Sequence, residues 1–316
     1  MSNLSVVTTN RVFSTSTPTE KKEIKSTKDK DVESSNNSAG YTITTYSPKE
    51  DRYPDYGIIF LGGAWHNVEN YDEYLTSIAI NGTKVVAVPY PGHKGAPQVS
   101  AKAFKSLSFT DYVTVSAQNI RIVMESDPTR HWLIVAHSMG SLVLKEAIKH
   151  LHSTDTTSFD KITGVILQAP AGPRLRVGGP MMGFFISQIP KLPSGEVIAT
   201  DRQISKMFFN GASQPEGFTL QPEPLKVVAG CIRAVLQYKK SEGFYDIPLY
   251  IFESDQDLVS LTGTGGDIVT FRNNRNKDCF LKTVRGNHEY AITNPEEAAL
   301  FTVKALDVFK KTAGKQ

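Results

Sequence analysis

Six short, almost unbroken apolar runs constrain this chain more than any other feature. They are Gly57–Leu61, Lys84–Val88, His131–Ala136, Gly164–Gln168, Leu249–Phe252 and Phe280–Val284. A strand with one wet face alternates apolar and polar residues. Runs without that alternation suit strands buried on both faces, as in a parallel sheet covered by helices. Tyr41–Tyr46, rich in β-branched and aromatic residues, adds a further strand. Helical spacing lies between the runs: Tyr71, Tyr74, Leu75 and Ile78; Tyr112, Val115, Ile120 and Val123; Leu142, Leu144, Ala147, Ile148 and Leu151. A last helix carries Ala298, Phe301, Ala305 and Phe309, with Asn294 as N-cap and Pro295 at its first position. Strands alternating with helices predict an α/β fold with a mostly parallel central sheet.

Two segments break this rhythm. The first forty residues hold 14 Ser or Thr and a Lys-rich stretch, Lys21–Lys30, with too few apolar groups to offset the entropy of ordering. Residues 1–40 are therefore expected to be a disordered tail, and residues 41–316 one folded domain. The stretch from about 171 to 247 is rich in proline and is expected to be an insertion over the carboxyl ends of the strands. Gly263–Asp267 lacks the Gly-Lys-Ser/Thr ending of a phosphate loop and is read as a turn.

Composition removes several classes. With 35 basic and 32 acidic side chains the net charge is +3, too small for the clustered basic face of a nucleic-acid binder. No apolar run approaches 18 residues, so no membrane-spanning helix is expected. The two cysteines, Cys231 and Cys279, form neither a disulfide framework nor a zinc cluster and fit a reducing compartment. The expected location is cytoplasmic. The alternative is mitochondrial, because the segment up to Thr19 has Arg11 and no acid, and Arg11–Ser14 resembles a presequence cleavage site.

The chemistry centres on Ala136-His137-Ser138-Met139-Gly140, between an apolar run and a helical pattern. A serine on a sharp strand-to-helix turn needs small residues two before and two after it, because backbones approach closely there. Ser138 is the candidate nucleophile, and the Met139 N–H a candidate oxyanion donor. A serine nucleophile needs a base, and the base needs an orienting acid. Among seven histidines, His288, after a strand and a glycine turn, has the right order and setting. The acid comes from Glu253-Ser254-Asp255-Gln256-Asp257, at a strand's carboxyl end, with Asp257 and Asp255 as alternatives. The second oxyanion donor fits Leu61-Gly62-Gly63-Ala64-Trp65, with the Ala64 N–H as candidate.

With these motifs in this order, residues from Gly57 onward resemble the serine α/β-hydrolases, and within them the monoacylglycerol lipase and lysophospholipase group. Gly62-Gly63-Ala64-Trp65 stands where the family has a His-Gly-x-Gly loop, and Tyr90–Gly95 where the group often has an Asp-x-Arg-Gly-x-Gly loop. Ala136–Gly140 is close to the group's elbow, including His137 and Met139. Aligned on the family's Pro-strand-Gly-x-x-Asp pattern, Asp257 takes the acid position; aligned on the following Val the register slips, which keeps Asp255 open. The resemblance implies an α/β-hydrolase fold with the 171–247 insertion as a lid. It also implies hydrolysis of carboxylic esters of lipids through an acyl-enzyme, with no metal or cofactor.

Gly63, Trp65 and His137 are candidates for substrate contact beside these groups. Met181, Met182, Phe184, Phe185 and Ile186 are candidates to line an acyl-chain pocket in the insertion. The expected partner is a small-molecule acyl ester, with peripheral membrane contact through the lid and no nucleic acid. A thioesterase, small-ester esterase, acyltransferase or aminopeptidase would use the same machinery. A silent hydrolase fold serving as a binding protein is the non-enzymatic alternative.

Overall fold

The computed structural model describes residues 31–37, 39–171, 187, 194–238, 244–259, 264–273 and 279–313. Eight of their strands form one sheet in the order β1-β2-β4-β3-β5-β6-β9-β10. These are β1 (Asp31–Asn36), β2 (Thr42–Ser47), β3 (Tyr56–Leu61), β4 (Lys84–Val88), β5 (His131–His137), β6 (Ile162–Gln168), β9 (Leu249–Ser254) and β10 (Cys279–Val284). Two short strands, β7 (Glu196–Val197) and β8 (Glu223–Pro224), pair antiparallel within the insertion.

From β4 through β10 the neighbours run parallel, while β1 and β2 are antiparallel additions at one edge. The central register sets Phe60 beside Ala87 on one side and Val135 on the other. Successive residues of the central strands point to opposite faces and both faces are covered. Ile59, Leu61, Ile134, Ala136, Leu167 and Ile251 belong to one buried cluster. Ile58, Phe60, Leu133, Val135, Ile166 and Phe252 belong to the other. This two-sided burial is why the runs do not alternate. Each large side chain removed from water contributes about 1.5–3 kcal/mol.

The chain leaves β3 for β4 on one side and crosses to β5 on the other. That reversal opens a crevice at the carboxyl ends of β3 and β5, the usual place for a ligand in an open parallel sheet. Helix Gly140–Thr154 follows β5 directly, and helix Pro295–Ala313 packs on the opposite face, its Phe309 against Gly164 of β6.

Two expectations need correction. Asp31–Asn36, assigned above to the tail, forms β1, paired along its length with β2. An edge strand held by main-chain hydrogen bonds needs little apolar content, so its composition hid it. Gly263–Asp267, read as a turn, overlaps the first residues of a helix, Thr264–Asn273. A Cβ on Gly265 would lie 2.7 Å from Leu281 Cδ1 and from Glu253 Oε2, so glycine there lets the helix start press against β9 and β10. The described part of the insertion also holds helices Asp201–Phe208 and Leu225–Leu236. Met181, Met182, Phe184, Phe185 and Ile186 lie outside the described residues, as do residues 1–30.

Candidate active site

β5 ends at His137, and the next residue, Ser138, takes a φ of 51°. This left-handed backbone costs a residue with a Cβ roughly 1–2 kcal/mol. The turn is held from both sides: the Ser138 N–H donates to the Gln168 carbonyl at 2.9 Å, and the Ser141 hydroxyl donates to the Ser138 carbonyl at 2.6 Å. Gly140 has no room for a side chain, since a Cβ would lie 2.5 Å from the Gly62 carbonyl oxygen and 3.1 Å from that of Leu61. Ala136 is fully buried. The spacing of small residues read from the sequence thus reflects the closeness of this turn to the end of β3.

β9 and β10 supply the other partners. Ser138 Oγ lies 2.9 Å from His288 Nε2, and Asp257 Oδ2 lies 2.8 Å from His288 Nδ1. A hydroxyl donating to Nε2 and an Nδ1–H donating to the carboxylate satisfy all three groups. The second oxygen of Asp257 accepts the Val259 N–H at 2.7 Å. Asp255 is exposed, points elsewhere and accepts the Gly286 N–H at 3.1 Å. The fold therefore brings Ser138, His288 and Asp257 together and leaves Asp255 out. Burial works against a charged His288, but the Asp257 charge and hydrogen bond, with the Glu289 charge, outweigh it and hold its pKa above the usual value.

The loop after β3 lies against Ser138. A Cβ on Gly63 would lie 2.9 Å from His137 Nδ1 and 3.3 Å from Ser138 Cβ, so only glycine permits this approach. Among the described residues, neither the Ala64 nor the Met139 N–H has a protein acceptor.

His137 and Trp65 are integrated into the scaffold rather than exposed beside a substrate. His137 is 1% exposed. Its Nδ1 lies 2.7 Å from the Tyr71 hydroxyl, which accepts the Gly63 N–H at 3.0 Å, and its Nε2 lies 3.1 Å from the His288 carbonyl. Tyr71 therefore donates to Nδ1 and Nε2–H donates to the carbonyl. Burial drives the His137 pKa down to about 4, against the pull of Glu289, so the ring is neutral near pH 7. The buried Trp65 indole donates to the Val197 carbonyl at 3.1 Å and packs on Phe208.

Several participants escaped the sequence reading. Glu289 is fully buried, with Oε1 3.2 Å from His66 Nε2 and Oε2 3.8 Å from His137 Nε2. Glu223, from the insertion, is also fully buried and accepts the Trp65 N–H at 2.7 Å and the Tyr112 hydroxyl at 2.8 Å. Only the adjacency of Glu289 to His288 was visible in the sequence; nothing there links Glu223 to Trp65. His137, His288 and Glu289 also present atoms within 4.8 Å of one another, a spacing seen in metal sites. Both His288 nitrogens already face Ser138 and Asp257, so the donor set fits a hydrogen-bond network better than a metal ion.

Residues 58–262 match the model of the alpha/beta hydrolase family, which is about two-thirds of the chain. The chain belongs to that family. Its fold is similar to that of a soluble variant of monoglyceride lipase from Saccharomyces cerevisiae. That likeness has a TM-score of 0.65 at 12% identity and covers 90% of this chain and 97% of that one. It is also similar to a thermostable carboxyl esterase from Bacillus coagulans, with a TM-score of 0.56, 15% identity, and coverage of 87% and 98%. A thioesterase domain from the curacin biosynthetic pathway gives 0.54 at 15% identity, over 87% and 98%. These identities establish likeness of fold alone. Comparison of the sequence with curated proteins finds no match. Among the described residues no helix is long and apolar enough to cross a membrane.

Proposed function

We propose that this chain is a serine hydrolase that cleaves carboxylic esters of lipids through an acyl-enzyme on Ser138. The observation that carries the reading is the hydrogen-bonded line from Asp257 through His288 to Ser138, with spacings of 2.8 and 2.9 Å. In the proposed reaction Ser138 Oγ attacks the acyl carbonyl while His288 Nε2 takes its proton. The Ala64 and Met139 N–H groups hold the oxyanion, a contribution of about 3–4 kcal/mol for a donor of this kind. His288 then protonates the leaving alcohol as the carbon–oxygen bond breaks. Water, deprotonated by the same imidazole, releases the acid. Asp257 holds the imidazole in the tautomer that can accept at Nε2 and stabilises the imidazolium.

Hydrolysis of an ester is supported by this geometry together with the family. The lipid class rests on the resemblance to the monoacylglycerol lipase group and on the fold likeness to a monoglyceride lipase. The insertion would act as a lid that touches the lipid surface. An aminopeptidase would need acids in the insertion to hold a substrate's ammonium, and Glu223 there is buried and bonded within the protein instead.

The test is hydrolysis of p-nitrophenyl esters from acetate to palmitate, and of a monoacylglycerol, by wild type and by Ser138→Ala. We expect kcat in the variant to fall at least ~10³-fold with folding intact, and wild-type kcat/KM to peak at long chains. A peak at acetate would overturn the lipid assignment. No turnover by folded wild type would overturn ester hydrolysis.

A further inference from the structure

The loop Gly62–His66 accounts for nearly all of its backbone polar groups. The Gly62 carbonyl accepts the Tyr90 hydroxyl at 2.9 Å, and the Gly63 N–H donates to Tyr71. The Gly63 carbonyl accepts the His66 N–H at 3.4 Å, and the Ala64 carbonyl lies 2.6 Å from His66 Nδ1. The Trp65 N–H donates to Glu223, and the Trp65 carbonyl accepts the Gln221 N–H at 2.9 Å. From the Gly62 carbonyl to the His66 N–H, the group without a protein acceptor among the described residues is the Ala64 N–H. Ala64 is buried, and a backbone donor left free by the protein is available to a ligand oxygen.

Three contacts to this loop come from one piece of the insertion. Leu220 makes an antiparallel bridge to His66, Gln221 holds the Trp65 carbonyl, and Glu223 takes the Trp65 N–H. Trp65 itself has a φ of 65°, a left-handed conformation that a tryptophan rarely adopts and that must be held from outside. Glu223 is held in turn by Tyr112 on its other oxygen, while His93 Nε2 lies 2.9 Å from the oxygen that binds Trp65. The peptide between Ala64 and Trp65 is therefore gripped at both ends, by His66 on its carbonyl and by Glu223 on its amide.

We propose that Glu223 is a positioning residue of the oxyanion hole: its carboxylate fixes the left-handed Ala64–Trp65 turn and so the aim of the Ala64 N–H. This rests on the ester-hydrolase reading of Ser138. Glu223 touches no reacting atom. It supplies preorganisation, which is what makes an oxyanion donor effective. The insertion thereby takes part in building the catalytic machinery as well as in covering it.

The experiment compares wild type, Glu223→Ala and Glu223→Gln, with kcat expressed per serine titrated by a fluorophosphonate. Glutamine keeps an oxygen for the Trp65 N–H. We expect alanine to lower kcat by ~10–100-fold, less than the ~10²–10³-fold lost when an oxyanion donor is removed outright, with KM changed less than about twofold. Glutamine should recover most of that loss. A purely structural role would lower thermal stability and leave kcat per titrated serine unchanged. Should Glu223→Ala not fold, Glu223→Asp, which withdraws the carboxylate by one methylene, is expected to show the same fall in kcat. Unchanged kcat in the folded variant, with an active wild type, overturns this inference alone. Folded wild type inactive on every ester overturns the hydrolase reading and this inference with it.

Discussion

Replacing Glu289 by glutamine tests whether the buried network behind the candidate catalytic histidine is electrostatic in nature. Burial alone would push the Glu289 pKa up. The nearby His66 and His137 outweigh it, with His288 adding to them, and hold the group down at about 2, against an ordinary value of 4.5. At about 1.4 kcal/mol per pH unit, that difference comes to about 3 kcal/mol favouring the ionised carboxylate in the folded state. A carboxyl group held below its unfolded value contributes stability that is present above pH 4.5 and is lost as the pH falls toward 2. Glutamine imitates the protonated form, so the variant should be less stable than wild type by at most about 3 kcal/mol at pH 7, where the neutral His137 ring lends Glu289 no charge. At pH 3 the deficit should shrink to about 1 kcal/mol, because there the wild-type charge stabilises the fold much less. Urea unfolding of both proteins at the two pH values measures this. A loss below about 1 kcal/mol at pH 7, or the same loss at both pH values, would refute the reasoning. A pH-independent loss would mean that Glu289 acts by packing and not by its charge.

Other perturbations separate residues that the sequence could not. Asp257→Asn is expected to lower kcat by about 10⁴-fold by leaving His288 in the wrong tautomer, whereas Asp255→Asn should stay within about threefold, since Asp255 is exposed and accepts the Gly286 N–H of a turn; equal effects in an ester assay would reject this assignment. Gly140→Ala sets a Cβ against the Gly62 carbonyl at 2.5 Å, where backbone has to move. It should cost about 1–3 kcal/mol and lower kcat, and a variant with wild-type melting and turnover would show that the elbow can relax.

The fold was legible because its signal is local and repeated. A strand covered on both faces must be apolar at nearly every position, and a helix beside it apolar every third or fourth, so alternation of the two patterns specifies a covered parallel sheet. Ser138 was legible for a related reason: the closeness of Gly140 to the Gly62 carbonyl forbids a side chain, and that restriction appears in the sequence as a small residue at fixed spacing. β1 was not legible, since its partners are main-chain groups that any residue carries. The helix from Thr264 is hidden in the sequence because Gly265, there for close packing, looks the same as a glycine there for flexibility.

The choice between Asp255 and Asp257 shows where the sequence stops. Both follow the same strand, both are carboxylates, and either suits a catalytic acid by chemistry. The turn after β9 sends one toward Gly286 and the other toward His288, and that direction depends on where β10 and the loop after it lie. Glu223 stands further off still, 158 residues from the Trp65 amide it binds. Sequence alone determined the covered parallel sheet and the elbow serine, because each follows from sterics or periodicity within a few neighbouring residues, and it marked the candidate base by its place in the order of motifs. Tertiary structure alone decided which acid meets the base, and which buried carboxylates hold the histidines and the oxyanion loop. Those contacts join residues that the chain keeps far apart, and a carboxylate's role depends on the groups that surround it after folding.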